Sequence, residues 1–296
     1  MKELKVKSYA KINLFLDIVF KRDDEYHEIK TIYQNISIFD ELLFEKGKGS
    51  LELFCESSFP IPDDERNLII RAAREIEKHC GERIKGLKIN LKKKIPVGGG
   101  LGGGSSNAAA TLNAVNNLFD FRYSTEELET LSARIGMDVP FFIKGGTAIG
   151  TGRGEIIKRI ENQLNPWVIV AYPGTGISTS TAYSLFNKKK CRDDMSLKMQ
   201  KLIDSLKNGD YLGFTKSVYN SFENLLKEKY PWIEEMKQVL REVGCDGSFL
   251  SGSGSTMIGT INSSDKIPKI ESKLKKQGKI NFWEVAEFKK VSWEIV

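Results

Sequence analysis

Six glycines occupy the seven positions from Gly98 to Gly104, broken only by Leu101, in the stretch Pro96-Val97-Gly98-Gly99-Gly100-Leu101-Gly102-Gly103-Gly104-Ser105-Ser106. Twelve of the chain's 26 glycines lie between Gly98 and Gly154, more than twice an even share, so this region needs bare backbone. Residues 87–95 lead into the run and alternate Leu87, Ile89 and Leu91 with Lys88, Asn90 and Lys92, the pattern of a half-buried strand. A helix is expected to follow from about Ser106 to Phe119, with Ala108, Leu112, Val115 and Phe119 as its apolar stripe. Strand, glycine loop, hydroxyl pair, helix is the order of an anion site. Successive bare amides can converge on a phosphate, and the helix aims its positive end at the same point. Ser105 and Ser106, at the predicted helix start, can cap it or meet a phosphate or metal.

Two familiar phosphate loops do not fit. No Gly-Lys-Ser/Thr occurs in the chain, which excludes a Walker A loop. Gly98-x-Gly100-x-x-Gly103 matches a dinucleotide fingerprint by letter. The parallel strand and the acid that must follow its helix are missing: Asp120 has the spacing but lies between two predicted helices.

Length and composition narrow the class. At 296 residues the chain suits about two domains and a large core without staples. A hydrophobic share of 40% with 28% charged residues excludes disorder and collagen. Cys55, Cys80, Cys191 and Cys245 are too far apart for a CxxC zinc pair and read as free thiols in a reducing compartment. His27 and His79 are the only histidines, too few for a His-rich metal site. The longest uncharged run, Ile95 to Phe119, carries six glycines and four asparagines and is no membrane helix. No leader segment is visible, and a cytoplasmic protein with no membrane partner is expected. The net charge of +6 suits polyanionic small molecules as well as nucleic acid.

Further elements follow from periodicity and punctuation. Strands are expected over 4–20 and 34–45, separated by a polar turn at 21–27. A helix is expected over 63–80, capped by Asp63 or Asp64 and ended by Gly81. Ser124-x-x-Glu127 is a capping box opening a helix that stops at Gly136. The segment FFIKGGTAIGTGRGE reads as glycine-punctuated strands. Trp167 to Tyr172 reads as a strand, 197–243 as helices in pieces, 247–261 as strand, SGSGS turn, strand, 265–277 as a helix and 281–288 as the last strand. A boundary near Glu161–Pro166 divides the chain into 1–162 and 163–296.

The loop resembles the second motif of the galactokinase, homoserine kinase, mevalonate kinase and phosphomevalonate kinase superfamily, Pro-x-x-x-Gly-Leu-Gly followed by hydroxyl residues. Its extra glycines are similar to those of the branch acting on 4-diphosphocytidyl-2-C-methyl-D-erythritol. Four other stretches resemble that branch: Ala10-Lys11-Ile12-Asn13-Leu14, Arg22-Asp23-Asp24-Glu25-Tyr26-His27, Gly136-Met137-Asp138-Val139-Pro140-Phe141-Phe142 and Ser251-Gly252-Ser253-Gly254. Glu25 stands where the branch usually has Gly, and a left-handed turn there would cost about 1 kcal/mol.

The resemblance implies an α+β protein of two domains. The N-terminal, ATP-binding domain has a ribosomal-protein-S5-domain-2-like fold. The C-terminal, substrate-side domain is ferredoxin-like, and the active site lies in the cleft between them. It implies an ATP-dependent kinase using Mg²⁺, with the ATP phosphates in the 96–106 loop and Asn67 and Lys93 as further contacts. Phosphoryl transfer needs positioning, charge neutralisation and a proton acceptor. Asp138, beside a Pro-fixed turn, is the candidate base and also a candidate helix N-cap. Lys11 interrupts an apolar strand, where a lysine alone would read as snorkelling to solvent. The resemblance makes it the partner of Asp138 at the acceptor hydroxyl. Asn13, Tyr26, His27 and Tyr183 are implied at the acceptor, the aromatic rings stacking on cytosine. No carboxylate ligand for the metal stands out. The alternatives are a sister kinase for mevalonate, homoserine or a sugar, and an RNA-binding protein using the basic strand 88–94.

Overall fold

The computed structural model describes residues 2–81, 84–186, 194–278 and 280–296; Cys191 lies outside them. Two long strands, β1 (Glu3–Lys21) and β2 (His27–Lys46), form an antiparallel hairpin in which Lys11 faces Asn35 and Lys21 faces His27. β2 therefore begins seven residues earlier than its alternation suggests. Residues 28–33 are buried on both faces of the sheet in places, which erases the two-residue period. β3 (Glu52–Ser57) runs parallel to β4 (Leu87–Lys93), and β4 pairs with β2.

Between them lies α1 (Leu68–Cys80), whose N-cap is Asn67 rather than Asp63 or Asp64: its side chain accepts from the Ile69 amide. Asp64 instead accepts from the Arg66 amide in the preceding turn. Gly81 closes the helix in the left-handed conformation. α2 (Gly103–Phe119) starts three residues before Ser106 and is buried nearly all round, because it lies under the β1–β2 sheet and against α1. α3 (Thr125–Ser132) carries the expected capping box. α4 (Val139–Lys144) replaces the strand expected at FFIK: Pro140 in its first turn fixes φ for a helix. β5 (Thr147–Thr151) and β6 (Ile156–Arg159) form a hairpin that pairs with β2.

The second half begins with β7 (Trp167–Tyr172), then α5 (Thr179–Ser184), α6 (Asp194–Asn208) and α7 (Tyr211–Ser217). The short β8 (Tyr219–Asn220) and α8 (Ser221–Leu226) precede α9 (Trp232–Val243), β9 (Gly247–Leu250) and β10 (Met257–Ile261). A 3₁₀ turn leads into α10 (Ile267–Leu274), then β11 (Phe282–Lys289) and β12 (Trp293–Ile295). The strands lie in the order β11-β7-β10-β9, and α9 and α10 pack on the face that carries Ile169 and Met257. This is the βαββαβ order of the ferredoxin-like unit. The other face, with Val168 and Ile258, packs against Leu202, Leu206 and Phe214 of α6 and α7 and against Ile12 and Ile36 of the hairpin.

β11 joins the two sheets, since it pairs with both β7 and β2. It is not the last strand: β12 returns to pair with β1. No described helix is long and apolar enough to cross a membrane.

Asp40, fully buried on β2, fixes the root of the glycine loop. Its carboxylate accepts from the Lys94 and Ile95 amides at 2.7 and 2.8 Å, from Lys93 Nζ at 2.8 Å and from Asn107 Nδ2 at 3.0 Å. Removing one member of a buried ion pair leaves the other uncompensated. Asp40→Asn is expected to lower the unfolding free energy by about 3–5 kcal/mol, measured by reversible urea denaturation. A loss below about 1 kcal/mol, the range of exposed pairs, would contradict that role.

Candidate active site

A cavity of about 970 Å³ runs from Asn67, Leu68 and Lys93 past the glycine loop to Lys11 and Asp138, and on to Tyr26, His27 and Tyr183. The loop 96–105 forms one wall. Leu101 accepts from the Lys11 amide at 2.9 Å, and Gly99 accepts from the Thr256 amide at 3.1 Å. Glycine is required here by packing. A Cβ on Gly100 would lie 2.2 Å from the Ser251 carbonyl, and one on Gly103 2.8 Å from Lys93 Nζ. Gly102 is the N-cap of α2 in a left-handed conformation, and no side chain caps the helix. The first amides of α2 are therefore left for an anion.

Pro96, Val97, Gly98, Gly99, Gly100, Leu101, Gly102, Gly103, Gly104 and Ser105 all line the cavity. Ser106 does not. Because α2 starts at Gly103, the Ser106 side chain turns toward β1, where its hydroxyl donates to the Tyr9 carbonyl at 2.6 Å and lies 2.6 Å from Ser8 Oγ. It fastens helix to strand.

In the middle of the cavity Lys11 Nζ lies 3.4 Å from Asp138 Oδ2 and donates to Asn13 Oδ1 at 2.6 Å. Only 4% of the Lys11 side chain is exposed, against 34% for Asp138. Lys11 thus points inward, not to solvent. Asn13 is held in turn by Thr31, to which its amide donates at 2.8 Å. Asp138 occupies the N-cap position of α4 but makes no capping bond; its carboxylate faces Lys11 and Tyr33, whose hydroxyl donates to Oδ1 at 3.0 Å.

At one end, both polar atoms of the Asn67 side chain are engaged, as the α1 cap and as a donor to the Pro62 carbonyl at 2.7 Å. Lys93 is buried, its ammonium shared between Asp40 and the Ile95 carbonyl. Burial pulls its pKa down against the opposing pull of Asp40. At the other end His27 stacks on Tyr183, centroids 4.8 Å apart at 24°. His27 Nε2 is buried with no hydrogen-bond partner. Burial, with Lys21 nearby, lowers the His27 pKa and so favours the neutral ring. Tyr26 is half exposed at the mouth, with the Arg153 guanidinium 4.9 Å from its ring centroid.

Tyr33, Asp40, Asn107 and Arg153 belong to the cavity or its support and do not stand out in the sequence. Tyr33 reads there as one aromatic in a strand. Arg153 carried a signal, a lone cation within the glycine-punctuated GTGRGE.

Residues 67–146 match the family described as GHMP kinases N terminal domain, and residues 199–280 match GHMP kinases C terminal. Fold and site together define a GHMP kinase. A crystal structure of 4-(cytidine 5'-diphospho)-2C-methyl-D-erythritol kinase superposes with a TM-score of 0.81 at 29% identity, covering 96% of this chain and 98% of that one. Homoserine kinase from Cytophaga hutchinsonii shares the fold at a TM-score of 0.80 and 17% identity, covering 100% and 98%. The 4-diphosphocytidyl-2-C-methyl-D-erythritol kinase of Bacillus cereus is 38% identical over 274 residues, 92% of this chain and 93% of its own length; that of Bacillus anthracis matches at the same identity and coverage. Within the GHMP kinases, the chain belongs to the 4-diphosphocytidyl-2-C-methyl-D-erythritol kinase family.

Proposed function

We propose that the protein transfers the γ-phosphoryl group of ATP to the 2-hydroxyl of 4-diphosphocytidyl-2-C-methyl-D-erythritol, giving the 2-phosphate and ADP on the non-mevalonate route to isoprenoid precursors. The observation that carries this reading is the position of the Lys11–Asp138 pair, midway along one cavity between a glycine loop and a His–Tyr stack. ATP would set its phosphates on the amides of 98–105 and the open end of α2, with adenosine toward Asn67 and Lys93. The cytidine would enter at Tyr26, His27 and Tyr183, with the base edge completing the unpaired His27 Nε2. Residues 1–162 would hold ATP, and residues 163–296 would supply Tyr183 to the acceptor.

The alcohol oxygen then attacks the γ-phosphorus and the bond to the β–γ bridging oxygen breaks. Asp138 takes the alcohol proton. Lys11 orients the hydroxyl and offsets charge on the transferring oxygens, while Asn13 holds the Lys11 ammonium in place. Positioning and charge carry most of such a reaction. Among the described residues no three acids, histidines or cysteines gather as a metal site; Mg²⁺ would offset the triphosphate charge, and Ser105, in the first turn of α2 and on the cavity wall, would be the side chain to hold it. An enzyme that draws on ATP and a charged, water-soluble acceptor would work in the cytoplasm.

The RNA-binding alternative has a weaker contact face than the run of lysines suggests. Lys88, Lys92 and Lys94 lie within 3.9, 3.9 and 2.7 Å of Glu45, Glu56 and Glu284, and Lys93 is buried on Asp40. Cations already matched by carboxylates attract little phosphate. A coupled ADP-release assay with the cytidylated erythritol, mevalonate and homoserine separates the kinase readings: ADP release should require the cytidylated substrate.

Asp138→Asn should lower kcat by about 10²–10⁴-fold, the range of general-base catalysis, with the ATP KM little changed; near-normal turnover would remove Asp138 from the base role. In a titration calorimeter CDP should bind more tightly than UDP, and His27→Ala should narrow the gap. Equal affinities in the unmodified protein would count against His27 as the base reader.

A further inference from the structure

Tyr33 lies on β2 opposite Asn13 of β1 and Ala148 of β5. It is buried, and its ring packs on Phe141 of α4 at 4.8 Å between centroids. The glycines of the β5–β6 hairpin make the slot for this ring. A Cβ on Gly150 would sit 2.5 Å from Tyr33 Cε2, and one on Gly154 2.6 Å from its hydroxyl. The hydroxyl has one proton to give. The nearer acceptor is Asp138 Oδ1 at 3.0 Å, and the Gly154 carbonyl lies at 3.4 Å. Lys11 faces the other oxygen, Oδ2, at 3.4 Å, and its Nζ lies 5.5 Å from the Tyr33 ring centroid. The two oxygens of the carboxylate are thus divided between a phenol and an ammonium.

We infer that Tyr33 is a positioning residue for the phosphoryl transfer: its hydroxyl pins Asp138 Oδ1, so that Oδ2 is turned toward Lys11 and the acceptor hydroxyl. The inference rests on the base role proposed above for Asp138. It accounts for two features that the reaction alone leaves over, the glycines at 150 and 154 and an N-cap aspartate that does not cap. The groups facing Asp138 are Lys11 from β1, Tyr33 from β2 and Tyr183 from α5, with Glu155 acting on Tyr33 from the turn between β5 and β6. Burial and the adjacent carboxylate hold the Tyr33 phenol well above its usual value, so it stays a donor throughout an assay range.

The test compares kcat, both KM values and pH profiles for the unmodified kinase, Tyr33→Phe, Asp138→Asn and a protein with 3-fluorotyrosine at position 33. Tyr33→Phe should lower kcat about tenfold, the worth of a modest hydrogen bond to a charged group, with both KM values within about twofold. The acid limb of its kcat profile should move to higher pH, because an ionised carboxylate that loses a donor is more readily protonated. Fluorotyrosine, a stronger donor of nearly the same shape, should move the limb to lower pH, and it decides the matter should Tyr33→Phe not fold. An unmoved limb with fluorotyrosine, or unchanged kcat and limb in Tyr33→Phe, while Asp138→Asn is inactive, overturns the role of Tyr33 and leaves the base intact. Near-normal turnover in Asp138→Asn overturns both.

Discussion

The glycine loop and the turn after β9 approach until backbone meets backbone, and the cavity exists because they do. Ser251 donates from its hydroxyl to the Gly100 carbonyl at 3.0 Å, and the Thr256 amide donates to Gly99 at 3.1 Å. On its other side the loop is tied to β1 through Leu101 and the Lys11 amide. No side chain fits between these surfaces at Gly100. Glycine therefore serves two ends at once: it lets the two halves of the chain close on each other, and it leaves amides bare toward the cavity. An anion bound there would touch a surface tied by hydrogen bonds to both halves of the chain.

The support of the cavity includes buried charge, which is costly unless it is paired and hydrogen-bonded. Asp40 meets this condition with four donors from β4, the segment after it and α2. Lys11 meets it differently. Its ammonium has Asn13 at 2.6 Å and a looser carboxylate at 3.4 Å, and that carboxylate is a third exposed. The first arrangement is closed and structural. The second keeps the ammonium buried but leaves its carboxylate partner a third exposed on the cavity wall.

Local signals in the sequence were legible where one residue type decides. Gly81 ends α1, Ser124 and Glu127 cap α3, and the strand at Trp167–Tyr172 has the expected bounds. They misled where two signals compete. The aromatic run at Phe141–Phe142 suggests a strand, yet Pro140 starts a helix there. Asp63 and Asp64 are good caps, but Asn67 also bonds the Pro62 carbonyl and so wins the position. β12 is three residues long and is a strand only because β1 is there to pair with it. The site residues carried by the motifs meet in one cavity except Ser106, which an earlier helix start turns away. Tyr33 was invisible because its partner lies 105 positions away and no local pattern encodes such a contact.

The hairpin turn shows how geometry at one end of β2 reaches the middle of the site. Glu25 takes a left-handed conformation, φ +64°, which costs a residue with a Cβ about 1 kcal/mol. Its own ion pair with Lys21 is exposed and offsets little of that. The turn holds instead through the Arg22 amide on the Tyr26 carbonyl at 2.8 Å and Arg22 on Glu28 at 2.8 Å. With the turn closed, Lys21 pairs with His27, and the alternation along β2 puts His27, Ile29 and Tyr33 on the cavity side together. On β1 the register shifts between Asn13 and Phe15, so the wall passes from Lys11 and Asn13 to Leu16 rather than to Phe15. A one-residue slip would turn His27 and Tyr33 away in the same step. His27 and Tyr33 thus share the cavity side through the unbroken alternation of β2, while β1 absorbs two register shifts opposite them, between Ile18 and Phe20 and between Asn13 and Phe15.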